Sequence, residues 1–221
     1  MNLTDVAMGA ELFRGIAEAD VELVLDRLGG VLREFGKAET VVHAGFTAER
    51  LMVVVSGKLF VYEHTEEDHP VLVRELGPGA VLGLWMLYSP EITCWPGTVV
   101  AAEDTTVISL DMARARSLKS SSAPYVAALA MNSAKLLSRE LFSTWRKLTV
   151  MDAQSIEARI RIYLAEQNNE SGRTGVVKVP FDRERMAEYF GVTRPALSRS
   201  LGHLRDRGLI SWRKNEFRIN F

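Results

Sequence analysis

The chain has 221 residues, a formal net charge of −1 and a hydrophobic fraction of 47%, which is typical of a folded protein with one large domain or two modest ones. Its single cysteine, Cys94, excludes an internal disulfide framework and any zinc or iron–sulfur site built from several thiolates of one chain. No apolar run approaches the ~20 residues of a membrane helix, and the N-terminus lacks the features of a signal peptide. We therefore expect a cytoplasmic protein with no membrane partner.

The first half of the chain changes its pattern near residue 37. Residues 5–34 carry apolar side chains at helical spacing, which predicts short amphipathic helices. From about 37 to 112, short β-rich runs such as LMVVVSGKLFVYEH alternate with glycines. Short strands separated by turn residues predict an antiparallel sandwich or barrel. The expected fold class is therefore α+β.

A long helix is predicted over residues 124–148, beginning at a proline that suits a first helical turn. One apolar stripe has the alternating spacing of a coiled-coil seam and consists of Ala127, Ala130, Ala134, Leu137, Leu141, Thr144 and Leu148. A second stripe lies on another face and consists of Val126, Leu129, Leu136 and Phe142. Each stripe has to be buried against another surface. We therefore expect the second stripe to pack against the β-rich domain and the first to pack against a second copy of the chain. The alternative is a buried helix in a monomer.

The C-terminal region is basic, with nine arginines and lysines between Asp182 and Arg218. A further helix is predicted over 153–167, followed by an exposed turn, NNESGRTG, and a strand, VVKVP. Asp182 and Thr193 suit the N-caps of two helices that Gly191 separates, which predicts a helix-turn-helix. Two short strands around RKN then make it winged. The basic cluster fits a nucleic-acid-binding end, although a solvated helix face would look the same.

Helix-turn-helix geometry places the N-terminal half of the second helix in the major groove of DNA. The residues expected to face the DNA are Thr193, Arg194, Ser198, Arg199 and His203. Arg199 is predicted to bond the O6 and N7 atoms of a guanine, the commonest specific base contact. Thr193 and Ser198 suit phosphates or either base type. Winged helices also bind proteins, but the basic face favours DNA.

This layout resembles the CRP/FNR superfamily of bacterial transcription regulators, through the segments VSGKLFVYEH, ELGPGAVLG and VTRPALSRSLGHLRDRGLI. The resemblance implies a jelly-roll-like β-roll that senses an effector (residues 1–120), a dimerisation helix (121–150) and a winged helix-turn-helix (151–221). It implies a homodimer on a near-palindromic operator, with Arg199 reading a guanine. Pro195 stands where better-known members carry a glutamate, so the operator should differ at that base pair. Loops near NNESGRTG contact RNA polymerase in relatives, which makes the polymerase a further expected partner.

The effector predicted from the resemblance is neither cyclic AMP nor an iron–sulfur cluster. Cyclic-nucleotide binders of the family carry GEL after the glycine that matches Gly83, and an Arg-Ser pair downstream. This chain instead reads GLW and TCWPGT, and it has no arginine between Arg74 and Arg114. A buried phosphate without a cation is costly. We expect an apolar or aromatic small molecule in a pocket formed by Leu84, Trp85, Met86, Tyr88, Trp95, Thr144 and Trp145.

Two alternatives remain for the sensory region. It can be a sealed core in a constitutive DNA-binding protein, or it can bind haem, as in relatives that sense gases or redox state. The haem ligand candidates are His43, His64, His69, Met86 and Cys94, of which Cys94 is expected to be buried. No nucleophile–base pair, metal spacing or phosphate loop is found, so we do not expect an enzyme.

Overall fold

The computed structural model describes residues 2–64, 70–89, 91–118, 123–180 and 182–221 and divides into two compact units, Met1–Leu141 and Phe142–Phe221. The three segments predicted from the resemblance, 1–120, 121–150 and 151–221, therefore differ from the structural division, because the long helix contributes to both units.

The first unit begins with helices and continues as strands. Its helical elements are α1 (Leu3–Met8), a 3-10 turn (Glu11–Phe13), α2 (Glu18–Arg27), α3 (Leu84–Tyr88), α4 (Met112–Ser117) and the start of α5 (Pro124–Met151). Its strands are β1 (Val31–Phe35), β2 (Thr40–Val42), β3 (Arg50–Ser56), β4 (Leu59–His64), β5 (Pro70–Leu76), β6 (Val81–Leu82), β7 (Thr98–Ala101) and β8 (Thr105–Asp111).

The strands form two four-stranded antiparallel sheets, in the orders β1-β8-β3-β6 and β2-β7-β4-β5. The α+β class and the antiparallel N-terminal domain are thus confirmed. The helical prediction for residues 5–34 was wrong at its end, since Val31–Phe35 is strand β1, paired with β8. Gly29 and Gly30, poor helix formers, follow α2. The chain beyond them gains its backbone hydrogen bonds from the edge of the sheet instead.

The N-terminal half of helix α5 is held against the rest of the first unit by polar contacts. The buried side chain of Asn132 donates to the carbonyls of Leu12 and Arg14 at 3.0 and 2.8 Å. Arg139 pairs with Glu11, and Glu140 pairs with Arg74 of β5.

The second apolar stripe of α5 is buried only in part. Leu129 belongs to the core, and Val126 and Leu136 pack against it. The prediction was wrong for Phe142, which is exposed and packs on Trp145 one turn along the helix. The ring centroids of Phe142 and Trp145 lie 5.8 Å apart.

The second unit contains the rest of α5, then α6 (Ile156–Glu170), β9 (Val176–Lys178), α7 (Arg183–Phe190), α8 (Arg194–Asp206), β10 (Ile210–Arg213) and β11 (Glu216–Ile219). The strands form an antiparallel sheet in the order β10-β11-β9. Its core joins α6, α7, α8 and the sheet, with Ile160, Leu164, Phe190 and Phe217 almost fully buried. This arrangement is the predicted winged helix-turn-helix.

Candidate DNA-binding face and effector cavity

The turn between α7 and α8 is built by two N-caps and one glycine. The carboxylate of Asp182 accepts the Arg185 N–H at 2.8 Å, and the hydroxyl of Thr193 accepts the Ala196 N–H at 3.4 Å. Gly191 ends α7 at φ 63°, a left-handed conformation that residues with a Cβ adopt at a cost. Leu197, Leu201 and Leu204 then bury one face of α8 against the core. The opposite face of α8 is therefore turned toward solvent.

All five predicted DNA-contacting residues, Thr193, Arg194, Ser198, Arg199 and His203, are exposed. The guanidinium groups of Arg194 and Arg199 make no hydrogen bond or ion pair with any residue that the structure describes. The basic groups at the other end of α8 differ, because His203 and Arg207 both contact Glu157 of α6, at 3.2 and 3.1 Å. The unpaired cations thus lie at the N-terminal half of α8.

A shallow pocket of about 450 Å³ lies beside the start of α8, between Arg194 and the tip of the wing. Lys214, at the wing tip, lines it together with Arg183 and Trp212. The Arg183 guanidinium lies over the rings of Trp212 and Phe217, at 5.5 and 4.8 Å from their centroids, a cation–π arrangement. Burial lowers the pKa of Arg183. The sequence identifies Arg183 and Lys214 as members of the basic cluster, but it does not predict that they lie beside Arg194.

The first unit contains a cavity of about 410 Å³. Its walls come from the 3-10 turn, α2, α3, α4, α5 and the strands β3 and β8, and they are mostly leucine side chains. Of the predicted pocket residues, Leu84 and Tyr88 line it. The wall residues that sequence reasoning did not find include Leu12, Phe13, Leu28, Leu51, Leu110 and Leu129.

The other predicted pocket residues lie elsewhere. Met86 is fully buried in the core, and Trp85 packs against that core. Trp95 is buried with its ring against Gly83, where a Cβ would approach the ring to 2.9 Å. Thr144 and Trp145 are exposed residues of the second unit. The cavity is therefore mostly aliphatic, with Phe13 and Tyr88 as the aromatic residues among those that line it, and the tryptophans do not form its walls.

The cavity wall contains one charged side chain among the residues described, Arg116 of α4. One of its terminal nitrogens, Nη2, donates to the Met86 carbonyl at 2.9 Å. Its Nε atom is buried and has no hydrogen-bond partner in the part of the chain that the structure describes. Ser133 of α5, almost fully buried, also lines the cavity.

The haem ligand candidates are dispersed. His43 is exposed and packs on Phe46, with ring centroids 5.4 Å apart. The expectation that Cys94 is buried was wrong: it is exposed, in a segment bridged to Thr47. His64 ends β4, and His69 lies outside the described residues. Within the described ranges, no three His, Cys, Asp or Glu side chains are grouped so that they could hold a metal ion.

No helix in the described ranges is both long enough and apolar enough to cross a membrane.

Comparisons with known proteins agree with this architecture. A model of the cyclic nucleotide-binding domain matches residues 32–122, and a model of the Crp-like helix-turn-helix domain matches residues 158–220. A CRP-like cAMP-activated global transcriptional regulator of Mycobacterium tuberculosis is 22% identical over 214 residues, covering 94% of this chain and 91% of the relative. The probable transcriptional regulator flp of Lacticaseibacillus casei is 27% identical over 190 residues, covering 81% and 79%.

Among solved structures, the c-di-GMP responsive global regulator CLP of Xanthomonas campestris has the same fold. Its TM-score is 0.71 at 19% identity, with 90% of this chain and 99% of that chain covered. The two matched domains together cover more than half of the chain. The chain therefore belongs to the CRP/FNR superfamily of transcription regulators, with a cyclic-nucleotide-binding-like domain followed by a DNA-binding helix-turn-helix.

Proposed function

We propose that two copies of the chain form a dimer that reads a near-palindromic DNA site, and that a small molecule with an apolar or aromatic body, bound in the cavity of the first unit, controls this binding. The observation that carries the proposal is the position of Arg194 and Arg199 on the exposed N-terminal half of α8, the second helix of the helix-turn-helix. In helix-turn-helix proteins this half of the second helix enters the major groove.

Arg199 is proposed to bond a guanine. Its guanidinium has no partner to give up, since no described residue hydrogen-bonds or ion-pairs with it. Arg194 and Lys214, which line the shallow pocket together with the acidic residues Asp182 and Glu184, are proposed to bind the phosphate backbone beside the groove. Thr193 and Ser198 are proposed to add small donors to phosphate or base edges, and His203 to contact the DNA one turn further along α8.

The dimer is proposed to form along the first stripe of α5. Leu141 is 71% exposed and Leu148 is 64% exposed, and the stripe residues Ala127, Ala130 and Ala134 are also exposed. Leu137 of the same stripe is partly buried and packs against the core of the first unit. A repeated apolar stripe on one helix that faces water is the pattern that a parallel or antiparallel helix partner covers. A two-fold dimer would place two α8 helices about 34 Å apart, in successive major grooves.

The effector is proposed to occupy the leucine-lined cavity rather than a nucleotide site. Leu84 occupies the position where cyclic-nucleotide binders carry the glutamate, and it is buried. The cavity volume of about 410 Å³ lies within the range of small-molecule sites, about 300–1,000 Å³. A ligand that binds one dimer arrangement more tightly than another would shift the population toward that arrangement.

A selection from random-sequence duplexes tests the DNA-binding proposal. The purified full-length chain should enrich an inverted repeat whose half-sites are one helical turn apart, with a guanine in each half-site. A chain that enriches no sequence, or a single half-site without symmetry, would contradict the proposal. Enrichment that is identical with and without small molecules would favour a constitutive regulator.

A further inference from the structure

The cavity in the first unit contains one cation in an otherwise apolar wall. Arg116 is the single charged residue among the described residues that line it, and Tyr88 and Ser133 are its polar neighbours in the wall. The Nε–H of Arg116 is buried without a partner, while Nη2 donates to the Met86 carbonyl. A buried N–H of a charged group that lacks a partner is costly. Because Arg116 also lines the cavity, an anionic acceptor placed there would pair with its guanidinium group.

We propose that the cavity binds an amphiphilic monocarboxylate, with its carboxylate on Arg116 and its hydrocarbon body against the leucines. This proposal rests on the proposed function, whose effector it identifies by chemical class. A carboxylate is favoured because the planar guanidinium offers two parallel N–H donors that match its two oxygens. The apolar remainder of the wall has few partners for the hydroxyl and ring nitrogen groups of a nucleotide.

The position of the cavity connects such a ligand to the proposed dimer helix. Val126, Leu129, Ala130 and Ser133 of α5 form part of the cavity wall. Ala127, Ala134 and Leu141 on the same helix are exposed along the proposed dimer seam. A carboxylate that packs against α5 from the cavity therefore contacts the element whose arrangement would set the spacing of the two α8 helices. Such a contact would allow the ligand to bind one arrangement of the dimer more tightly than another, which a population shift requires.

Titration calorimetry of the purified full-length protein tests the proposal with two matched series of ligands. One series consists of straight-chain carboxylates and the other of 1-alkanols, both of four to twelve carbons. Each ligand is used at concentrations where it is dissolved as single molecules. Each added methylene should raise the affinity about fourfold until the cavity is full. The carboxylate should bind about tenfold more tightly than the alkanol of equal length. Equal affinity in the two series, or no binding by any carboxylate, would overturn the proposal, as would tight binding of cyclic AMP to the same preparation.

Variants distinguish the contribution of the ligand's carboxylate head group from that of its hydrocarbon chain. Arg116→Met should abolish the preference for the carboxylate and keep the dependence on chain length. Arg114→Met is the matched control, since Arg114 is exposed on the same helix and does not line the cavity; it should keep both properties. A carboxylate preference that persists in Arg116→Met would contradict the assignment. Ser133→Met, which narrows the cavity from α5, should weaken the longest chains most, and unchanged affinity for them would place the ligand elsewhere.

The DNA selection distinguishes a failure of this inference from a failure of the proposed function. A chain that selects a symmetric duplex but binds no carboxylate would retain the regulator proposal and overturn the ligand class. A chain that binds carboxylates through Arg116 but selects no duplex would retain the cavity assignment and overturn the DNA-binding mechanism.

Discussion

Two arginines of this molecule have unpaired N–H groups in opposite environments. In the first unit, the Nε of Arg116 is buried without a partner among the described residues, and the Arg116 side chain lines a mostly aliphatic cavity. In the second unit, Arg199 is exposed on α8 and makes no ion pair with a described residue. Water satisfies the exposed group at no cost, whereas the buried group pays for its desolvation. A missing partner is therefore informative by itself only for Arg116, while the case for Arg199 depends on its position in the helix-turn-helix.

The two units also differ in what their sites need from the rest of the fold. The DNA-binding face uses residues from one helix and the adjacent wing, so its parts are near each other in the sequence. The cavity joins side chains as distant as Leu12 and Leu129. This difference explains why a single sequence identifies the first site more completely than the second.

We expect the largest effect at the proposed dimer seam of α5, because the DNA-binding face and the cavity would both act through the dimer. Replacing Leu141 and Leu148 with glutamate places like charges along an apolar stripe and should yield monomers that no longer bind a selected duplex tightly. Both leucines are more than half exposed, so the chain itself should stay folded. Sedimentation velocity measures the oligomeric state. Phe46→Glu, at another exposed apolar residue (65% exposed), is the control and should remain dimeric; dimers in the double variant would place the seam elsewhere.

The second test concerns the exposed arginine. Arg199→Ala should weaken binding to the selected duplex by about 1–3 kcal/mol and relax the preference at one base pair in each half-site. Fluorescence anisotropy on duplexes that carry each of the four base pairs measures both effects. Arg161→Ala removes an arginine that lies on α6 over the Phe221 ring and should leave the preference intact. Unchanged discrimination in Arg199→Ala would show that the docking of α8 is wrong.

The third and smallest test concerns Glu140, a partly buried carboxyl that pairs with Arg74. Burial raises the pKa of its carboxyl above the ordinary value of 4.5, and pairing with Arg74 offsets only part of the rise. A carboxyl whose pKa is higher in the folded state contributes stability that is fully present below the unfolded pKa and is lost as the pH rises through the folded pKa. Glu140→Gln removes this titration. As the pH rises above the ordinary carboxyl pKa of 4.5, the free energy of unfolding should therefore decline less in the variant than in the parent.

Urea denaturation at a series of pH values measures this difference, with Glu103→Gln as the control at an exposed glutamate. If Glu140→Gln follows the same pH dependence as the parent chain, the raised pKa does not contribute to stability.

The sequence predicted the local features of the second unit well, because caps and turns are decided by adjacent residues. Asp182, Gly191 and Thr193 have the predicted roles, and Leu197, Leu201 and Leu204 are buried as their spacing indicates. It did not show that His203 and Arg207 pair with Glu157 while Arg199 has no partner, since that depends on the packing of α6 against α8. Composition alone treats all these basic residues alike.

In the first unit the sequence predicted the antiparallel sheets but misplaced several side chains. The aromatic residues Trp85 and Trp95 suggested a pocket, yet Trp95 packs on Gly83 and Trp85 packs against the core. Arg116 lies outside every motif in the sequence. Its significance comes from the buried environment of its Nε, which a sequence pattern does not show. The strand β1 was read as helix because the pairing with β8 that stabilises it is not local.

The most direct test of the account is the binding of the full-length chain to its selected duplex and to the same duplex with five base pairs inserted between the half-sites. The insertion turns one half-site to the opposite side of the DNA, so a dimer with a fixed spacing of its α8 helices cannot contact both. We expect two chains on each selected duplex and, after the insertion, an affinity no better than that for random DNA. Equal affinity for the two duplexes would contradict the central claim that two copies of the chain read the site together.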